Sequence, residues 1–177
     1  MNIVLIGYRG AGKSTVARHL ALELAWDWVD ADVEIELRAG KSIATIFADD
    51  GEACFRDWET SVLAELVTRE RTVIAAGGGA VLREENRRLL KRCGQVIWLR
   101  AAPSTILSRM DADVTTASRR PRLTASSNEA EVPRLLAERE PLYRDCADLE
   151  VVTENKTPAE IASELGRQLH SVMREHV

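Results

Sequence analysis

The sequence predicts an α/β fold of three layers, a five-stranded parallel sheet covered by helices on both faces. Short apolar runs alternate with helical patterns along the whole chain, an order that requires crossover connections and hence parallel strands. The longer runs, Asn2-Ile-Val-Leu-Ile6, Thr72-Val-Ile-Ala-Ala76 and Gln95-Val-Ile-Trp-Leu99, are unbroken rather than alternating, as strands buried on both faces should be. Neither a repeat nor a linker divides the 177 residues, so residues 1–177 are expected to form a single domain.

The first strand, 2–6, ends at Gly7. From Lys13, the residues Val16, Ala17, Leu20, Ala21 and Leu24 recur at helical spacing, which predicts a helix to about Ala25. Trp28-Val29-Asp30 is a second, short strand. Asp32 to Ala39 is helical and Gly40 closes it. Ser42 caps a short helix that Gly51 ends. A longer helix covers about Cys54 to Thr68, with Val62, Leu63, Leu66 and Val67 on its apolar side. The strand at 72–76 runs into three glycines. A helix from Glu84 to Cys93 then leads to the strand at 95–99. Pro103, suited to a first turn, opens a helix to Arg109. Met110 to Asn128 is rich in Ser, Thr, Ala, Asp and Arg and nearly lacks large apolar residues, so it reads as a mobile surface segment. Leu135 to Arg144 is helical, with a break or bend expected near Pro141. Leu149-Glu-Val-Val152 is the last strand. Thr157-Pro-Ala-Glu160 is a capping box that opens a C-terminal helix bearing Ile161, Leu165, Leu169 and Val172.

Composition narrows the function. Hydrophobic residues make up 45% and charged residues 29%, which is ordinary for a soluble globular protein. The net charge is -4 and no polybasic run occurs, which argues against nucleic acid or an anionic membrane as partner. No window approaches the roughly 18 apolar residues of a membrane span. Cys54, Cys93 and Cys146 are odd in number and fit no metal spacing, so they read as reduced thiols of a cytoplasmic protein. Nothing demands an oligomer, and a monomer is expected. An anionic substrate would be held by a few placed Arg and Lys.

Gly7-Tyr-Arg-Gly-Ala-Gly-Lys13-Ser14 matches the phosphate-binding pattern G-x-x-x-x-G-K-[ST]. It follows an apolar strand and opens an amphipathic helix, the context that gives the pattern its meaning. Gly7 and Gly12 permit backbone conformations that side chains would block. The amides of Gly10, Ala11, Gly12, Lys13, Ser14 and Thr15 then form an anion cradle at the positive end of a helix. Lys13 adds a charge near the β- and γ-phosphates of ATP, and Ser14 offers a hydroxyl to Mg²⁺. Arg9 is assigned no role.

This loop fixes the phosphoryl donor and leaves the acceptor open. In open parallel sheets the acceptor belongs at the carboxyl ends of the strands, where three features fall. Asp30-Ala-Asp32 can divide two tasks, one carboxylate holding Mg²⁺ through water and one accepting a hydrogen bond from the attacking hydroxyl. Alternatively, one of them caps the next helix. Gly77-Gly78-Gly79 either admits a ligand against the backbone or forms a strand-end turn. Arg56, Arg120 and Arg139 can grip carboxylates or phosphoryl groups, or stand solvated on the surface.

Together these features resemble the shikimate kinase family. The resemblance covers the chain from Asn2 to about Leu169. It rests on the phosphate loop, the D-x-D at 30–32, Phe55-Arg56-Asp57-Trp58-Glu59, Gly-Gly-Gly-Ala-Val at 77–81, Arg120-Pro121 and Arg139-Glu-Pro-Leu-Tyr143. It implies a fold of nucleoside monophosphate kinase style, with an acceptor-binding region at about 31–60 and a lid at about 110–128. By the same resemblance, Asp32 binds the shikimate hydroxyls and orients or deprotonates the attacking one. Arg56 and Arg139 grip the carboxylate, and Gly78 and Gly79 bring their backbone to the ring. Arg120 closes over the ATP phosphates beside Lys13. Ser14 holds Mg²⁺ directly and Asp30 holds it through water, while Arg109 and Lys156 contact adenine. Two departures stand out: residues 119–123 read Arg-Arg-Pro-Arg-Leu, with Arg122 where the family carries an apolar residue, and the stretch between Arg109 and Arg120 is longer than is usual in the family. The resemblance implies transfer of the ATP γ-phosphoryl group to the 3-hydroxyl of shikimate. The alternatives are a related kinase of gluconate or nucleoside monophosphates, and a non-catalytic nucleotide-binding module.

Overall fold

Every residue of the first strand is buried, which is possible only where a strand is flanked on both edges and covered on both faces. That strand, β1 (Asn2–Ile6), lies at the centre of the sheet in the computed structural model, which describes residues 1–112 and 128–174. Around it stand β2 (Asp27–Asp30), β3 (Thr72–Ala75), β4 (Gly94–Arg100) and β5 (Leu149–Val152), in the order β2-β3-β1-β4-β5. All four pairings are parallel, with Leu5 opposite Ala75 and Ile97, and Ile6 opposite Trp98. The order reverses beside β1, so the ends of β1 and β3 form the crevice where ligands of such sheets bind.

Successive residues of one strand serve opposite layers. Val4, Ile6, Ile74, Val96 and Trp98 join one core with Ile35, Phe55, Leu63 and Tyr143. Ile3, Leu5, Val73, Ala75, Ile97 and Leu99 join the other with Ala17, Leu20, Ile161 and Leu165. The second layer consists of α1 (Lys13–Leu24) and α8 (Pro158–Arg174); the first includes α2 (Ala31–Ala39), α3 (Ile43–Asp49), α4 (Gly51–Leu66) and α5 (Glu84–Cys93). Between them in sequence come α6 (Pro103–Ala112) and α7 (Asn128–Cys146).

The anticipated punctuation holds at three helix ends. Gly40 is left-handed (φ 66°) and closes α2, the Ser42 side chain accepts from Thr45 N–H, and the Thr157–Glu160 capping box is reciprocal. Hydrogen bonds from the Thr157 amide and hydroxyl hold the Glu160 carboxyl below the usual carboxylate range.

Two boundaries differ from expectation. Gly51 separates α3 from α4 but also begins α4, so that helix starts before its first large apolar residue and stops at Leu66. Its φ of 82° makes the turn that a side chain would resist. The seventh helix runs unbroken from Asn128 through Pro133 and Pro141. Each proline removes only one helical donor, while Val132, Tyr143 and Cys146 bury themselves against the body of the protein. A short 3₁₀ turn at Ala80–Leu82, not anticipated, follows the glycines. Of the expected surface segment, Met110 to Ala112 complete α6. Residues 113–127, with Arg119, Arg120 and Arg122, lie outside the described residues. Among those described, no helix is long and apolar enough to cross a membrane.

Candidate active site

The loop between β1 and α1 is shaped by its glycines. A Cβ on Gly7 would stand 2.5 Å from the Leu99 carbonyl oxygen, and Gly12, at φ 91°, is the N-cap of α1. Glycine is required at both positions, at the first for space and at the second for backbone conformation. No side chain caps α1 and no acidic residue occupies its first turn, so its leading amides are offered to an anion. Lys13 is buried at the base, its Nζ donating to the carbonyls of Gly7 (2.8 Å) and Tyr8 (2.9 Å).

Asp30 takes the capping role of its motif and also contacts Ser14. Its Oδ1 accepts the Asp32 amide at 2.9 Å and so caps α2, while its Oδ2 meets the Ser14 hydroxyl. One carboxylate therefore ties the end of β2 to the start of α1. Asp32 follows in the first turn of α2. A cleft of about 400 Å³ is lined by residues Arg9 to Val16 together with Asp30, Asp32, Gly78, Arg109 and Lys156.

Arg56 and Arg139, far apart in sequence, meet at the glycine run. Arg56 on α4 is buried; its Nη1 reaches Glu59 Oε2 at 3.2 Å, and its Nε and Nη2 reach Glu52 Oε1 at 3.2 and 2.8 Å. A Cβ added to Gly79 would lie 2.2 Å from Arg56 Nη1, so the guanidinium packs directly on that backbone. Arg139 on α7 donates from Nη1 to the Gly78 carbonyl at 3.4 Å, and its guanidinium lies 5.4 Å from the centroid of the Tyr8 ring. Gly78 in turn packs on the Arg9 amide, 3.0 Å from where its Cβ would be. The two arginines thus border Gly78 and Gly79, and Gly78 shares the cleft with Lys13, Ser14 and Asp32.

Arg109 is held at the other end of the cleft by Thr153, donating to its Oγ1 at 3.1 Å and its carbonyl at 3.3 Å, and reaches the Ala11 carbonyl at 3.5 Å. Lys156 lines the cleft too, with its Nζ bonded to Glu164 at 2.5 Å. Arg120 lies outside the described residues.

Comparison with known proteins decides what this cleft belongs to. The family model of shikimate kinase matches residues 9–170. The chain belongs to the shikimate kinase family. Shikimate kinase of Rhodopirellula baltica is 47% identical over 164 residues, covering 93% of this chain and 88% of the relative. That of Pseudomonas putida is 42% identical over 171 residues, 97% of each. The structure of Acinetobacter baumannii shikimate kinase in complex with shikimate superposes with a TM-score of 0.90 at 38% identity, covering 96% of this chain and 93% of that one. The activity is that of a shikimate kinase, ATP-dependent phosphoryl transfer in the shikimate pathway.

Some residues that support the side chains around this shikimate kinase cleft carry no role in the sequence reading. Glu59 stands in the Phe55–Glu59 motif and Tyr143 in the Arg139–Tyr143 motif, yet neither has a function assigned from sequence. Their spacings were the available signal: residues three or four apart on a helix share a face, which places Glu59 beside Arg56 and Tyr143 beside Arg139. Tyr8 and Thr153, which support Arg139 and Arg109, gave no such signal.

The Gly79 packing yields a test. Gly79 has φ -105°, which alanine adopts freely, so the methyl of Gly79→Ala is opposed chiefly by the Arg56 guanidinium. The fold should survive, with a Tm lowered by less than in Arg56→Ala, because the displaced guanidinium weakens its bond to buried Glu59 without being removed. The displaced guanidinium should raise the shikimate KM by about ten- to a hundredfold, measured in steady-state assays beside a thermal melt. An unchanged KM would show that Arg56 is free to move without cost to the acceptor.

Proposed function

We propose that the chain transfers the γ-phosphoryl group of ATP to the 3-hydroxyl of shikimate, giving shikimate 3-phosphate and ADP, with Asp32, Arg56, Gly78, Gly79 and Arg139 as the acceptor subsite. The supporting observation is the meeting of Arg56 and Arg139 at Gly79 and Gly78, on the border of the cleft that holds the phosphate loop. Two guanidinium groups there suit a planar carboxylate, which takes paired hydrogen bonds from arginine.

For the described residues, position in or beside the cleft supports the following roles. Arg56 and Arg139 bind the acceptor carboxylate and fix the ring. Asp32 accepts a hydrogen bond from the 3-hydroxyl, and orients or deprotonates it, as its oxygen bonds to the γ-phosphorus and the bond to the β,γ-bridging oxygen breaks. The amides of residues 10–15 cradle the phosphates. Lys13 exchanges its two loop carbonyls for β- and γ-phosphate oxygens. Arg109, its plane held by Thr153, and Lys156 flank the adenine; by the family resemblance alone, Arg120 covers the phosphates. Most of the rate then comes from positioning and charge.

A divalent cation fits beside Ser14 and Asp30. Their two hard oxygens are in contact. Among the described residues no three His, Cys, Asp or Glu gather into a cage. Mg²⁺ commonly takes one or two protein oxygens and completes its shell with water and phosphate. Ser14 would hold it directly and Asp30 through water. Bound there, Mg²⁺ neutralises charge on the β- and γ-phosphates.

We place the enzyme in the cytoplasm as a monomer. Cys54, Cys93 and Cys146 are free thiols, and one chain supplies both the phosphate loop and the proposed acceptor residues. A coupled ADP-release assay with shikimate, gluconate and AMP in parallel tests the function. Turnover should appear with shikimate alone. Turnover with gluconate or AMP instead would replace the acceptor, and tight ATP binding without any turnover would make the chain a binding module.

A further inference from the structure

We propose that Tyr143 is a positioning residue for the acceptor, its hydroxyl fixing the Gly78 carbonyl and, through the Gly78–Gly79 peptide, the backbone donor offered by Gly79. The inference rests on the reading of Arg139, Gly78 and Gly79 as acceptor residues.

Tyr143 Oη donates to the Gly78 carbonyl at 2.6 Å, the shorter of the two bonds that oxygen accepts, the other coming from Arg139 Nη1 at 3.4 Å. The hydroxyl is therefore the principal anchor of that peptide. The peptide is planar and trans, no cis bond occurring among the described residues, so the Gly79 N–H points opposite to the Gly78 oxygen. Holding the oxygen fixes the direction of the N–H. A glycine pair has no side chains to perform this task, and its intrinsic freedom is the largest of any residue. The anchor must come from outside, and it comes from a rigid place. The Tyr143 ring is 1% exposed and stacks on Trp98 of β4, with centroids 5.7 Å apart and planes at 19°. Trp98 is itself paired in register with Ile6, the last residue before the phosphate loop. The sheet thus sets Tyr143, and Tyr143 sets Gly78.

The same carbonyl is shared with Arg139. The two donors sit four residues apart on one face of α7, with the Arg139 guanidinium against the Tyr8 ring. Burial pushes the Tyr143 hydroxyl well above its ordinary pKa, so it stays a neutral donor over the whole working range. Loss of that hydroxyl frees the carbonyl to turn toward Arg139, which moves the Gly79 amide and the guanidinium together.

Tyr143→Phe removes one oxygen and keeps the ring. The shikimate KM should rise by about tenfold, on the scale of one lost hydrogen bond plus the misplacement it causes. The ATP KM should stay within about twofold, since the phosphate loop is untouched. A double-mutant cycle with Arg139→Ala separates the two levels of the argument. In the Arg139→Ala background the Tyr143→Phe effect should shrink, because residues that act through one carbonyl are not additive. A shikimate KM within about twofold of wild type overturns the proposal. So does a parallel rise in both KM values with a lowered Tm, which is the mark of a merely structural tyrosine. If Arg139→Ala itself leaves the shikimate KM unchanged, the acceptor reading beneath it fails. If Arg139→Ala raises it and Tyr143→Phe does not, only the role of Tyr143 falls.

Discussion

Asp32→Asn lowers kcat with shikimate by about 10²–10³ and leaves the ATP Kd within about threefold. The asymmetry follows from where the residue stands. Asp32 lines the cleft from the first turn of α2, and that turn is capped by Asp30, not by Asp32. The substitution therefore leaves the helix and the Ser14–Asp30 contact in place. An amide of the same size still fills the space but carries no charge and cannot take the hydroxyl proton. Since phosphoryl transfer is dominated by alignment and electrostatics, the loss belongs to the transition state and should appear in kcat. Rapid-quench turnover with saturating ATP and shikimate measures it. A variant retaining more than about a tenth of wild-type kcat would remove Asp32 from the mechanism.

The donor half of this site was legible because it is local. The residues of the phosphate loop are consecutive, and their glycines, lysine and serine each answer a short-range need, so β1, the loop and α1 fall where the pattern puts them. The sheet was legible for the same reason: its three central strands, β3, β1 and β4, are built on continuous apolar runs. The proposed acceptor half is different. Arg56 and Arg139 sit on α4 and α7, and nothing in either segment alone announces that both end on the glycines after β3. Only recognition of a family pattern joined them. What stayed hidden is tertiary. Tyr143 becomes an anchor because Trp98 stacks on it and Gly78 turns its carbonyl toward it. Helix α7 runs through two prolines because buried neighbours hold it, and local propensity cannot register that. The expected segment at 113–127, with Arg120, lies outside the described residues.

Arg56→Ala raises the shikimate KM by about a hundredfold, on the scale of truncating one partner of a desolvated charge pair, and it also destabilises the enzyme. The second effect separates it from Arg139→Ala. Glu59 is 0% exposed and is bonded to Arg56 Nη1, whereas Arg139 meets a carbonyl and an aromatic ring. Removing Arg56 leaves a buried carboxylate without its cation, which costs about 3–5 kcal/mol in comparable settings. A protein of this size loses roughly 2–4 °C of Tm for each kcal/mol, so the variant should melt at least several degrees lower. Glu59→Gln added to Arg56→Ala should restore much of the Tm, because the buried group is then neutral, but it should not restore the KM, because the proposed carboxylate-binding group is still missing. Arg139→Ala should give a comparable KM defect with a smaller loss of Tm. In both variants the ATP KM should stay within about threefold, since neither guanidinium lines the cleft that holds the phosphate loop, and Arg139 meets that loop at the Tyr8 ring. Equal losses for shikimate and ATP would contradict the division of the cleft into donor and acceptor halves. Recovery of the KM by Glu59→Gln would mean that Arg56 serves the fold and not the substrate.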